Sequence, residues 1–145
     1  MSHFREIHPD FLKHLKNKEQ SLIDLYLELR AFLLKIHPKG YELLYHTHAL
    51  TSLYSVSDKM GDGFCMISIY SNHLNLGFNR GTLLDDPQNL LQGTGKWIRH
   101  IPIENKASFK NEAVENMINE AIALALEDSG AKELNQGITI SKIKN

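Results

Sequence analysis

The sequence holds a single cysteine, Cys65, so no internal disulfide can form and the fold has to stand on its packed core. Such usage fits a reducing compartment, and the cytoplasm is the expected location. No run of 18 apolar residues exists to span a bilayer, and residues 1–6 lack the basic start and apolar stretch of a secretory signal. Membrane insertion and secretion are not expected. Charge of one sign is not in excess either. With 16 basic and 17 acidic residues the formal net charge is -1, so no global field steers the chain toward nucleic acid or an anionic membrane. Internal repeats, low-complexity tracts and long linkers are missing as well. What remains is one domain over residues 1–145, with 1–20 read as an N-terminal extension and 131–145 as a tail.

At 145 residues such a domain buries roughly 68% of the surface its unfolded chain exposes, enough for one core. The surest element lies at residues 21–36, where Leu22, Leu25, Tyr26, Leu29, Phe32, Leu33 and Ile36 fall on one helical stripe. Leu27 and Leu34 widen that stripe, which suits packing on a sheet, and His37-Pro38-Lys39-Gly40 supplies the stop. A second helix is expected over 111–127, with Val114, Met117, Ile118, Ala121, Ile122 and Ala125 on one side and Gly130 at its end. Pro9-Asp10-Phe11-Leu12 opens a short helical turn before the first.

Between the helices the pattern alternates as strands do. Residues 41–57 fit two strands, with Leu43, Tyr45 and Thr47 on one face and Leu44, His46 and His48 on the other. Residues 64–70 are apolar on both faces and read as a central strand, followed by Leu74-Asn75-Leu76-Gly77-Phe78 with Leu74, Leu76 and Phe78 inward. Asp86 and Pro87 are expected to start a short helix through Leu91, and Gly93 and Gly95 to release the chain into a strand over 97–103. Residues 138–143 alternate like a strand and are expected to pair with another chain. Hairpin connections and two long amphipathic helices together predict an α+β fold: a two-layer sandwich, with an antiparallel sheet of about five strands and both terminal helices on one face.

The stretch from Asn72 to Arg80 and Gly81, with Leu84-Asp85-Asp86-Pro87, Leu90-Leu91-Gln92-Gly93-Thr94-Gly95-Lys96 and Ile98-Arg99-His100-Ile101, resembles the core motif of the YdhG-like domains of unknown function. The resemblance extends upstream through residues 45–54 and 64–70 and covers about two thirds of the chain. It implies a compact α/β sandwich often compared with frataxin, and some members of that family are described as frataxin-like iron chaperones. No family-wide activity comes with it.

Three functional readings follow from the residues themselves. Arg80, Lys96, Arg99 and His100 lie close in sequence to the amides of Gly93 and Gly95, a composition suited to a small anionic ligand. A P-loop is excluded, because Leu90 stands where its first glycine is needed and Trp97 where its Ser or Thr belongs. His46 and His48, two apart on a presumed strand, project from one face and suit iron or zinc, with His73, His100, Asp85 or Asp86 to complete the set. Without that metal no cofactor is expected. Cys65, among Phe64, Met66 and Ile67, reads as an inert buried thiol, and Asp85-Asp86 do not form an acid–base pair, so a non-enzymatic module is expected. Its partner is a small anion or a protein, including a second copy joined through Pro102 and Ile103 or the 138–143 strand.

Overall fold

The computed structural model describes residues 5–130 and 137–144. The expected flexibility of the two ends falls partly on residues 1–4, 131–136 and 145, which lie outside the described residues.

The first helix, α1 (Pro9–Leu15), starts where the His8 ring accepts a bond from the Asp10 amide and Pro9 takes a position that needs no donor. Its Phe11 and Leu15 are fully buried, so this part of the supposed extension belongs to the core. Helix α2 (Gln20–Ile36) buries Leu22, Tyr26, Leu29, Arg30, Leu33 and Leu34, while Leu25, Phe32 and Ile36 of the expected stripe are half-buried and Leu27 is exposed. It stops at His37, which Pro38 forces out of the helical region. Helix α3 (Glu112–Ser129) begins with the Asn111 side chain accepting from the Val114 amide at 2.9 Å and ends at Gly130 in the left-handed conformation, φ 64°.

The strands are β1 (Tyr41–His46), β2 (Leu50–Ser55), β3 (Gly63–Ile69), β4 (Leu74–Phe78), β5 (Arg99–Ile103) and β6 (Thr139–Ser141). They form one open mixed sheet in the order β5-β4-β3-β2-β1-β6. Four neighbouring pairs are antiparallel, while β6 lies parallel to β1, with Leu43 opposite Ile140. The purely antiparallel sheet of about five strands is thereby corrected. Residues 138–143, read as a strand, lie along β1 of their own chain through bonds from Glu42 N to Ile138 O and from Lys142 N to Leu44 O, and β6 forms the sheet edge on that side.

Register fixes which residues meet the helices. Leu44, Ser52, Ile67, Leu76 and Ile101 lie in one row across the sheet, and His46, Leu50, Ile69, Leu74 and Ile103 in the next. The apolar members of both rows join Phe11, Leu15, Tyr26, Leu29, Leu33, Phe109, Val114, Met117, Ile118 and Ile122 in a single core. Cys65 is also in that core, fully buried, and desolvation pushes its thiol well above the ordinary range. A thiol held protonated in an apolar setting is unreactive.

Two local expectations fail for identifiable reasons. Residues 87–91 form no helix: the Asp86 carboxylate takes the amides of Leu90 at 2.8 Å and Leu91 at 2.9 Å, and Asn89 sits at φ 54°, which interrupts helical bonding. The last long strand begins at Arg99 and not at Trp97, because residues 96–98 have spent their carbonyls on other partners.

Candidate functional site

Those partners define the most distinctive surface feature of the protein. The Trp97 carbonyl accepts from the Thr82 amide at 3.1 Å and the Lys96 carbonyl from the Thr82 hydroxyl at 3.1 Å. Arg99 folds its guanidinium back along its own chain, where one nitrogen donates to the Ile98 carbonyl at 2.9 Å and to the Gly95 carbonyl. Gly93, at φ +124°, turns the chain where few L side chains could follow. Gln92 and His100 then exchange backbone bonds at 2.8 and 2.9 Å, closing the base of the loop. Residues 93–98 are thus pinned on two sides.

The pinned loop presents apolar side chains to water. Trp97 is 48% exposed and Ile98 53%, with Leu83 of the adjoining turn 49% exposed. The Lys96 ammonium lies over the Trp97 ring, 5.5 Å from its centroid.

The residues expected to hold an anion go to different places. Arg80 pairs with Asp128, in the last turn of α3. Arg99 serves the loop carbonyls, and Gly95 offers its carbonyl to that arginine. The His100 ring lies near Gly93, and the His100 backbone is bonded to Gln92. Arg80 and Arg99 are neighbours through Gly81, where an added Cβ would lie 2.8 Å from the Arg99 nitrogen, but their guanidinium groups have separate partners. Lys96 is the cation of this group left to the loop surface.

For the metal reading, β1 ends at His46, and His48 lies in the turn between β1 and β2, so the alternation that aligned them does not reach His48. The ring against His46 is His14 of α1, with centroids 4.4 Å apart. Partial burial and the neighbouring His14 and Lys18 lower the His46 pKa. His73 stacks on Tyr70 and bonds to Asn72 at 2.9 Å, and the Asp85 amide donates to Glu120 at 3.0 Å. Among the described residues no group of three or more His, Cys, Asp or Glu is arranged to hold a metal ion.

One cluster escaped the sequence reading. Arg30 and Glu42, 6% and 1% exposed, form a two-bond ion pair at 2.8 and 2.9 Å inside the core. Tyr54 donates to Glu42 at 2.7 Å, and Thr139 of β6 donates at 2.9 Å. Tyr26 donates to the Ser52 hydroxyl at 3.0 Å, and that hydroxyl passes its own proton to the Tyr54 oxygen 3.1 Å away, since the single Tyr54 proton goes to Glu42. Arg30 also donates to the carbonyls of Arg5 at 2.6 Å and Glu6 at 3.2 Å. Burial works against the charge on Arg30, yet the Glu42 bonds and charge outweigh it and raise its pKa. Burial likewise opposes ionisation of Glu42, and Arg30, Tyr54 and Thr139 together bring its pKa below the ordinary carboxylate value. Desolvation, followed by the Glu42 charge, raises the pKa of both tyrosines. The sequence signals were slight: Arg30 lies four residues after Tyr26, beside the apolar stripe, and Glu42 shares an inward face with Leu44.

In class, then, this is an α+β protein with an open six-stranded mixed sheet, a buried ion pair in its core and a hydrogen-bonded loop bearing exposed Trp97 and Ile98 at one sheet edge. No family model, curated protein or solved structure matches the chain.

Proposed function

We propose that the protein is a non-enzymatic binding module of the YdhG-like kind, a two-layer sandwich that recognises a protein partner through the 93–98 loop and Leu83. One observation carries the reading: Trp97 and Ile98 stand about half exposed at adjacent positions on a loop held by four side-chain and backbone bonds. Large apolar side chains kept in water on a preorganised support lose little entropy on docking, and tryptophan is the residue type that most often anchors an interface. Lys96 beside the ring favours a partner with a carboxylate next to its apolar contact. Docking by strand addition at β5 is disfavoured, because the outward groups of His100 are taken by Gln92 and Pro102 has no amide to offer. A free small anion at Gly93 to Lys96 is the weaker reading, since both arginines are already engaged.

Trp97 is the sole tryptophan, so its emission reports directly on the surface in question. Partner capture should be lost by Trp97→Ser with Ile98→Ser while the melting temperature stays within a few degrees of wild type, and a purified partner should shift Trp97 emission to the blue. Equal capture by the double variant would sink the reading. Sedimentation of the isolated protein decides whether the partner is a second copy.

A further inference from the structure

We propose that the hollow between the C-terminal half of α3 and the chain entering β3 binds a small aliphatic primary amine, with its ammonium at Asp128 and Asp62 and its hydrocarbon tail inside. The hollow is distinct from the 93–98 loop and does not depend on that loop's function. Its lining includes the small residues Gly61, Gly63, Ala121 and Ala125, with apolar side chains from Phe64, Leu84 and Leu124. The α3 residues recur at intervals of one helical turn, so alanines at 121 and 125 leave the space that larger side chains would fill. About 60 Å³ is free there, space for a small aliphatic tail.

Charge at the mouth selects the head group. Asp62, Asp128 and Arg80 line it and sum to one net negative charge. Asp128 lies in the last turn of α3, a turn without a basic residue, where the helix carbonyl ends add negative partial charge. Asp62 accepts one bond, from Ser57 at 2.6 Å, and Asp128 pairs with Arg80. A carboxylate has about four acceptor positions, so the two acids together can still receive the three donors of an ammonium. A bound amine neutralises the rim, whereas an acid of the same shape would make it more negative.

The probe is 3-methylbutylamine, a small aliphatic amine, compared with 4-methylpentanoate in methyl and amide NMR titrations of the full chain. The amine should give saturable shifts at Gly61, Gly63, Ala121 and Ala125 with a dissociation constant of about 1 mM, as expected for so few heavy atoms, and the acid should not. Ala125→Leu fills the space and should weaken the amine at least tenfold with its melting temperature kept or raised. Should that variant not fold, Asp128→Asn tests the head group and should weaken binding severalfold, while Arg80→Met removes the competing cation and should tighten it. Acid binding as strong as amine binding, no saturable amine shifts, or a folded Ala125→Leu or Asp128→Asn that binds like wild type would each overturn the assignment.

Discussion

Glu42 and Arg30 are the residues on which the interior most depends. Removing one member of a buried ion pair leaves the other desolvated and unpaired, so Glu42→Gln or Arg30→Met alone should cost about 3–5 kcal/mol in urea unfolding. The double change to methionines should cost much less, because no orphan charge remains. The pH dependence follows from the lowered Glu42 pKa. Its contribution is fully present above the unfolded value of 4.5 and is lost as pH falls through the lower folded value. Urea midpoints should therefore hold between pH 7 and about 5 and drop below about pH 4, and the double methionine variant should show a shallower acid decline. An acid decline as steep as wild type would mean that other carboxylates set it. At this scale the sequence was a partial guide. Arg30 lies beside the apolar stripe and not on it, and nothing in one dimension shows that it is buried against Glu42.

The elements divide by how local their causes are. Helices α2 and α3 were legible because a 3.6-residue stripe, and for α3 the glycine at its end, act within the segment itself. The turn at 87–91 was not, since an aspartate before a proline suits a helix start, and here its carboxylate reached instead to the amides of Leu90 and Leu91. The short turn at Gly81–Leu83, by contrast, depends on a neighbour distant in sequence. A Cβ on Gly81 would lie 2.4 Å from the Arg99 Cβ and 2.8 Å from its backbone nitrogen, so backbone must move against backbone. Gly81→Ala should cost about 1–3 kcal/mol in thermal unfolding and loosen the 93–98 loop, seen as faster quenching of Trp97. Gly61→Ala, with nothing within 4 Å of the added carbon, is the control and should stay within about 0.5 kcal/mol.

For the whole molecule, order should fall from the sheet centre to the β6 edge. Strands β2 and β3 have partners on both sides, whereas β6 is three residues long and pairs on one side in the parallel sense. Amide exchange should thus be slowest in β2 and β3 and markedly faster at Ile140, and β6 amides as protected as those of β3 would contradict this. The N-terminal segment shares the same fastening, because Arg5 donates to the carbonyls of Pro38 and Gly40 and Ser141 donates to Asp10 at 2.6 Å. Both ends of the described chain are therefore tied to the β1 side of the sheet. None of the described helices is long and apolar enough to cross a membrane. By itself the sequence determined the helices, the strand alternation and the α+β class, because periodicity, capping and turn chemistry act over a few residues. Tertiary structure alone decided that β6 joins its own sheet in parallel and that Arg30 meets Glu42. It also decided that Arg80 and Arg99 are held by Asp128 and by loop carbonyls, since side-chain partners are chosen by proximity in space.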